Sequence, residues 1–171
     1  MKQLQNSFTT ERLQLSPLDI GDAAFILELV NTEGWLQFIG DRNVRSEEDA
    51  KAYIRKIQSN QDVRYWVVRP KGQAAPIGII TFIKRAELPH PDLGFAFLPA
   101  SAGMGYAYEA SLTILQHILT HKHYNIAQLN AITVPDNASS IKLLKKLGFT
   151  FVEERNSNDE VTHVYTICVS D

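Results

Sequence analysis

The sequence predicts a mixed α/β domain in which helices cover the faces of one sheet. Three observations carry this prediction. Hydrophobic periodicity runs in the order two helices, three strands, helix, strand, helix and two strands. The length of 171 residues suits one domain over residues 1–171. A run of small residues, "ASAGMG" at 100–105, joins the third strand to the longest helix.

Composition excludes several classes of protein. Apolar residues make up 44% and charged residues 21% of the chain, which is ordinary for a globular protein, and the formal net charge is −2. That charge gives no general attraction to nucleic acid or to an anionic membrane. The start, "MKQLQNSFTTERL", lacks the apolar core of a signal peptide, and no apolar run approaches the roughly 18 residues of a spanning helix. We therefore expect a cytoplasmic protein with no nucleic-acid or membrane partner.

No metal site is predicted. Cys168 is the only cysteine, which excludes an internal disulfide and argues against a thiolate metal cluster. His117 and His121 stand four residues apart, a spacing that suits a metal, but no third ligand is evident near them. Histidines also favour helix C-termini because of the helix dipole.

Two amphipathic helices are predicted near the N-terminus. The stretch "LSPLDIGDAAFILELVN" has a capping region at 19–22 followed by one apolar stripe, and "RSEEDAKAYIRKIQS" has Ser46 as a cap with Asp49 three residues on. The segment between them, "TEGWLQFIGDRNV", shows neither helical nor strand periodicity. It is either a simple connector or a binding loop, in which case Trp35 and Phe38 would contact a substrate.

Three strands follow in the middle of the chain: "RYWVVRP", "IGIITFIKR" and "DLGFAFLP". The third strand places bulky side chains on one face, while Asp92, Gly94 and Ala96 leave the other face nearly bare. Either glycine relieves crowding at an edge or bulge, or the bare face is a wall beside which a ligand lies. Asp92 would then stand at the rim of that ligand site.

The small residues after the third strand predict an anion site. The first turn of a helix has main-chain N–H groups without partners, and the helix dipole adds partial positive charge there. Gly103 and Gly105 allow positive φ angles and close approach of an anion to the backbone. The dinucleotide-binding fingerprint and the P-loop are both excluded, because the third glycine position is Tyr108 and no Gly-Lys-Ser/Thr closes the loop.

The C-terminal third completes the pattern. The helix after the loop extends to about His121, and "IAQLNAITV" is a strand that Pro135 ends. A short helix in "NASSIKLLKKLGF" ends at Gly148, and "FTFVEE" and "VTHVYTICVS" are closing strands around a polar turn.

Two stretches together, "DLGFAFLPASAGMGYAYEA" and "PDNASSIKLLKKLGF", resemble the GNAT superfamily of acetyl-CoA-dependent N-acetyltransferases. The closer likeness is to the branch of ribosomal-protein N-terminal alanine and serine acetyltransferases. The stretch "TTERLQL" near the N-terminus is similar to the opening of proteins in that branch. The resemblance covers roughly residues 9–168. It implies a GNAT-like, mostly antiparallel sheet of about six to seven strands with helices on both faces. It also implies acetyl-CoA as co-substrate and transfer of its acetyl group to a primary amine, without a metal.

The resemblance also implies which residues bind the coenzyme. Main-chain groups of Ala96, Phe97 and Leu98 would bond the pantetheine arm in a gap beside the third strand. The loop that holds the diphosphate would comprise Ala102, Gly103, Met104, Gly105, Tyr106 and Ala107. Its first position departs from the family pattern, since Ala102 stands in place of the usual arginine or glutamine, or of the tryptophan that is common in the branch.

For catalysis, the resemblance implies Asp92 as the base that removes a proton from the amine, and as an acceptor-binding residue. A base or water chain is needed because an ammonium with a pKa near 10 has no lone pair. Ser140 is the candidate proton donor to the departing thiolate and also contacts the coenzyme, because the family's tyrosine is replaced by Leu144. Asn137 would contact the coenzyme or cap the last helix.

The sequence leaves several alternatives open. Asp92 could instead be a solvent-facing carboxylate at a strand start. The missing tyrosine also leaves the alternative of a non-catalytic acyl-CoA-binding module. The acceptor could be a protein N-terminus or a small-molecule amine, and homodimers are common in the branch.

Overall fold

The computed structural model describes residues 6–121 and 124–168. Its strands are β1 Phe8–Thr9, β2 Leu13–Pro17, β3 Val63–Pro70, β4 Gly78–Ile83, β5 Asp92–Phe97, β6 Gln128–Thr133, β7 Thr150–Ser157 and β8 Glu160–Cys168. Its α-helices are α1 Ala23–Leu29, α2 Glu33–Phe38, α3 Glu47–Ser59, α4 Tyr106–Thr120 and α5 Ala138–Lys146. Short 3₁₀ turns lie at Ile20–Asp22 and Pro99–Ser101.

All eight described strands form one sheet in the order β1-β2-β3-β4-β5-β6-β8-β7. Only β5 and β6 run parallel, and every other neighbouring pair is antiparallel. The predicted mixed, mostly antiparallel sheet with helices on both faces is therefore confirmed. The strand count is slightly higher than expected, because residues 8–17 form the two-residue edge strand β1 and its neighbour β2.

The two faces of the sheet carry separate hydrophobic cores. One core joins the sheet to α4 and α5, through residues such as Ile114, Leu144 and Phe82. The other core joins the opposite face to α1, α2 and α3, through residues such as Ile26 and Ile54. The side-chain alternation along β5 fits this division, since Leu93 belongs to the first core and Ala96 packs against the second.

The predicted helix starts are confirmed in detail. Asp19 caps the turn before α1 in a reciprocal capping box with Asp22, and the Ser46 hydroxyl accepts a hydrogen bond from the Asp49 amide at the start of α3. The segment that showed no periodicity is in part a helix, α2. Its start is capped by Thr32, whose side chain accepts from the Trp35 amide. A six-residue helix is too short to display a hydrophobic period, which explains why the sequence did not reveal it.

Among the described residues, no helix combines the length and the apolar character needed to cross a bilayer.

Candidate coenzyme and acetyl-transfer site

The two central parallel strands separate almost as soon as they meet. β4 and β5 pair over six successive positions, whereas β5 and β6 pair at a single position, Asp92 with Asn130. Beyond Asp92 the two strands diverge and leave a gap in the middle of the sheet. Because the strands are parallel, α4 and α5, which follow them, both begin at the open end of this gap.

Hydrogen bonds at each end of β5 fix which of its main-chain groups face the gap. The Leu98 amide donates to the Ile77 carbonyl at 2.8 Å on the β4 side, and the Asn130 amide donates to the Pro91 carbonyl at 2.9 Å on the β6 side. Bonding direction alternates along a strand, so the groups of Phe95 and Phe97 point into the gap.

This alternation of hydrogen-bonding direction along β5 corrects part of the predicted pantetheine contact. Of Ala96, Phe97 and Leu98, only Phe97 presents its main-chain groups to the gap. Ala96 bonds towards β4, and the Leu98 carbonyl accepts from the Ser101 amide at 3.0 Å. The sequence missed Phe95, although a two-residue period counted back from Phe97 would have included it.

The loop between β5 and α4 has the backbone conformation that its glycines predicted. Gly103 has φ +77° and Gly105 has φ +78°, both in the left-handed region. A Cβ atom placed on Gly103 would meet no other atom within 4 Å, so the space beside its backbone is open.

Among the described residues, the amides of this loop and of the first turn of α4 donate no hydrogen bond to the protein. The first helical bond runs from the Glu109 amide to the Gly105 carbonyl at 3.1 Å, and none is found for the amides of residues 103–108. Gly105 has no side chain to cap the helix. The Ala102 amide, by contrast, donates to the Pro99 carbonyl at 3.1 Å, so its N–H is not available to a ligand. The start of the fifteen-residue helix thus combines its positive dipole end with a row of free donors.

The start of α5 stands at the same end of the gap. Asn137 caps it by accepting from the Ser140 amide at 3.2 Å, so the capping role is confirmed. Ser140 lies one turn before Leu144 and shares its helix face. Leu144 is buried in the core and has no hydroxyl to offer. The half-buried Ser140, one turn nearer the start of α5, is the first hydroxyl on that helix face.

Asp92 lies at the closed end of the gap and is buried, with 4% of its surface exposed. The alternative of a solvent-facing carboxylate is therefore wrong. One oxygen accepts from Arg85 Nε at 2.9 Å and the other from Arg85 Nη2 at 3.4 Å. Burial raises the pKa of the Asp92 carboxyl above its ordinary value, although the Arg85 guanidinium opposes the rise.

The bare face of β5 is explained by a close neighbour on β4. A Cβ on Gly94 would lie 2.6 Å from Thr81 Oγ1, so glycine is required there by the packing of the sheet. The face of β5 that carries Asp92 therefore has only the small residues Gly94 and Ala96 beside the carboxylate.

A cavity of about 370 Å³ lies on the Asp92 face of the sheet. Asn130 is the register partner of Asp92, and Ile132 lies two residues further on the same face. The cavity is lined by Glu87, Leu88, Ile132, Arg155, Asn156, Ser157, Thr162 and Val164. The Glu87 charge is close enough to affect the pKa of Asp92, which links this cavity to the closed end of the gap.

The other predicted site residues lie elsewhere. Trp35 is buried in the core beneath α1–α3, and its indole N–H donates to the Gly40 carbonyl at 3.0 Å, so its side chain does not face a substrate. Phe38 is half-buried near the end of α2. His117 contacts the Tyr124 hydroxyl at 2.7 Å, and the described residues contain no group of three or more His, Cys, Asp or Glu side chains suited to a metal.

A splayed parallel strand pair, with a glycine loop and two helix starts at its open end, is the arrangement that the resemblance to acetyl-CoA-dependent acetyltransferases implies. Residues 12–150, well over half of the chain, match the family described as "Acetyltransferase (GNAT) domain". The chain therefore belongs to the GNAT family of acetyltransferases.

Three similar proteins illustrate the relationship. The "Uncharacterized N-acetyltransferase YnaD" of Bacillus subtilis (strain 168) is 29% identical over 140 residues, which cover 82% of this chain and 80% of that protein. The ribosomal-protein-S5-alanine acetyltransferase from Vibrio fischeri has a TM-score of 0.80 at 20% identity, covering 97% of this chain and 98% of its own. RimL, a ribosomal L7/L12 alpha-N-protein acetyltransferase solved with coenzyme A, has a TM-score of 0.80 at 14% identity, covering 96% and 98%.

Proposed function

We propose that this protein transfers the acetyl group of acetyl-CoA to a primary amine by direct attack within a ternary complex. The observation that carries the proposal is the row of free amides at residues 103–108 beside a gap that opens next to a buried carboxylate. The amides suit the coenzyme's diphosphate, and the gap suits its extended pantetheine arm.

The open end of the gap would hold the coenzyme. The amides of Gly103, Met104, Gly105, Tyr106 and Ala107 would donate to the diphosphate oxygens. The main-chain groups of Phe95 and Phe97 would bond the amides of the arm, as an added strand would. Asn137, at the start of α5, would contact the coenzyme with the part of its amide that capping leaves free.

Asp92 would then act as the base, directly or through water. In the reaction the amine nitrogen forms a bond to the thioester carbon, the carbon–sulfur bond breaks, and the electron pair leaves with sulfur. The amine proton passes to Asp92, whose raised pKa brings it nearer to the operating pH of a base. Ser140 would donate a proton or hydrogen bond to the departing thiolate.

The acceptor would reach Asp92 through the cavity lined by Glu87 and the β7–β8 hairpin. This position replaces the predicted role of Trp35, because Trp35 is a core residue. The acceptor can be a protein N-terminus or a small-molecule amine. The names of RimL and of the Vibrio fischeri protein describe them as acetyltransferases of ribosomal proteins.

The direct test is an acetyl-transfer assay over a panel of amines and N-terminal peptides, with detection of the released thiol. We expect at least one primary amine to be turned over with a stoichiometric release of coenzyme A. Coenzyme binding with no turnover across the panel would instead favour a non-catalytic acyl-CoA-binding module.

The cavity makes a separate prediction about the acceptor. In Thr162→Tyr the added ring would occupy much of the cavity, so the KM for the amine should rise about tenfold while the KM for acetyl-CoA stays unchanged. Val161→Tyr is the matched control, because the neighbouring side chain points to the opposite face of β8 and is already 37% exposed. Equal acceptor KM values for the two variants would exclude this cavity as the entry route.

A further inference from the structure

The side chain of Arg12 connects the loop at residues 102–107 to the first strands of the sheet. Arg12, immediately before β2, reaches three parts of the loop and of α4. Its Nε donates to Glu109 Oε2 at 2.6 Å, its Nη1 donates to the Met104 carbonyl at 2.8 Å, and its guanidinium lies 4.7 Å from the centre of the Tyr106 ring. The planar fork of arginine is needed to make these contacts at once.

Glu109 holds the other side of this arrangement. Its Oε1 accepts from Thr10 Oγ1 at 2.6 Å and from the Arg12 amide at 2.9 Å. Burial raises the pKa of the Glu109 carboxyl, but hydrogen bonds from Thr10 and Arg12 outweigh that effect and lower it overall. Glu109 is therefore an anion near the start of α4, and Arg12 balances its charge.

The contact with Met104 determines where the neighbouring amide points. The Met104 carbonyl and the Gly105 N–H belong to one planar trans peptide, so they point in opposite directions. Because Arg12 Nη1 binds this carbonyl, the Gly105 N–H is directed away from the Arg12 guanidinium. A Cβ on Gly105 would stand 3.3 Å from Arg12 Nη2, so the guanidinium packs directly against this turn.

We propose that Arg12 is a positioning residue for the coenzyme, which orients the Met104–Gly105 peptide so that the loop amides converge on the diphosphate. The inference rests on the proposed function, since it assumes that the loop binds acetyl-CoA. It also bears on the unusual residue Ala102, where the resemblance leads one to expect an arginine or a glutamine. Among the described residues, the arginine that contacts this loop is Arg12.

The experiment compares Arg12→Lys, Arg12→Gln and the double variant Arg12→Gln/Glu109→Gln by steady-state kinetics and by calorimetry with coenzyme A. Lysine keeps the charge but cannot bond Glu109 and Met104 at once. We expect Arg12→Lys and Arg12→Gln each to raise the KM for acetyl-CoA about tenfold with kcat changed less than about twofold. The double variant, which removes the charge imbalance, should not recover. Arg45→Lys, which alters an exposed pair with Asp41 in the segment between α2 and α3, is the matched control and should change neither value.

Each outcome has a distinct meaning. If Arg12→Lys binds coenzyme A as the wild type does, or if the double variant recovers, Arg12 acts through its charge alone and the positioning role is refuted. If the variants lose stability, the chemical shift of the Gly105 amide in the coenzyme-free protein decides: it should move in Arg12→Lys and Arg12→Gln and stay unchanged in Arg45→Lys. Failure of the wild type to bind coenzyme A would refute the proposed function itself, whatever the variants do.

Discussion

Replacing Gly103 with alanine is expected to abolish most coenzyme binding while leaving the protein folded. The φ angle of +77° makes any side chain there cost about 1 kcal/mol of folding free energy. The new Cβ would meet no protein atom, but it would occupy the open space against the loop backbone. Loss of close approach to two or more amides should weaken coenzyme A binding by about 2 kcal/mol, a factor of about thirty in Kd.

The chain offers a closely matched control for this variant. Gly72, in the turn between β3 and β4, has φ +75° and likewise no atom within 4 Å of a placed Cβ. Gly72→Ala should therefore lower the free energy of unfolding by a similar amount and leave the Kd for coenzyme A unchanged. Calorimetry on both variants separates backbone strain from ligand contact. Equal affinities would mean that Gly103 does not face the coenzyme.

Replacing Asp92 with asparagine is expected to reduce kcat about a hundredfold at neutral pH, the usual contribution of a positioned base. The wild-type rate should fall in acid as Asp92 becomes protonated, at a pH above the ordinary aspartate range because its pKa is raised. The loss in Asp92→Asn should shrink at high pH, where the amine acceptor is already neutral. A pH–rate profile of both proteins measures this difference. A constant ratio of the two rates across pH would contradict the base assignment.

The stability of the same variant separates a catalytic role from a structural one. A carboxyl whose pKa is raised by folding favours the native state while protonated, and that contribution is lost as the pH rises through its folded value. At neutral pH the buried charge therefore works against folding, and Asp92→Asn should be no less stable than the wild type. Arg85 is left without its carboxylate, but its side chain is 38% exposed and stays hydrated. A large fall in the denaturation midpoint would indicate that the Asp92–Arg85 pair serves stability instead.

Local rules predicted the backbone conformation of the β5–α4 loop and the starts of α4 and α5 well. The positive φ angles at Gly103 and Gly105, the start of α4 and the cap at Asn137 each depend on a few neighbouring residues, so the sequence contains their cause. The Gly148 stop is equally local: the Phe149 amide donates to the Leu144 carbonyl at 3.0 Å in the expected helix-ending turn.

Features that depend on distant partners were not predictable in this way. Whether Phe95 or Ala96 faces the gap depends on which side of β5 bonds to β4. Arg12 acts on a loop 92 residues away in the sequence, and nothing near it indicates that contact. Trp35 was assigned to a substrate because its segment lacks periodicity, whereas its burial comes from the packing of three helices against the sheet.

Binding of the acetyl-CoA diphosphate by the free amides around the start of α4 can be tested residue by residue. The measurement is a titration of ¹⁵N-labelled protein with coenzyme A, followed by amide chemical shifts. We expect saturable shifts of the amides at 103–108, largest at Gly103 and Gly105, with little change at Ala102 or at Gly72. Saturable binding with those loop amides unmoved, or no binding at all, would contradict it.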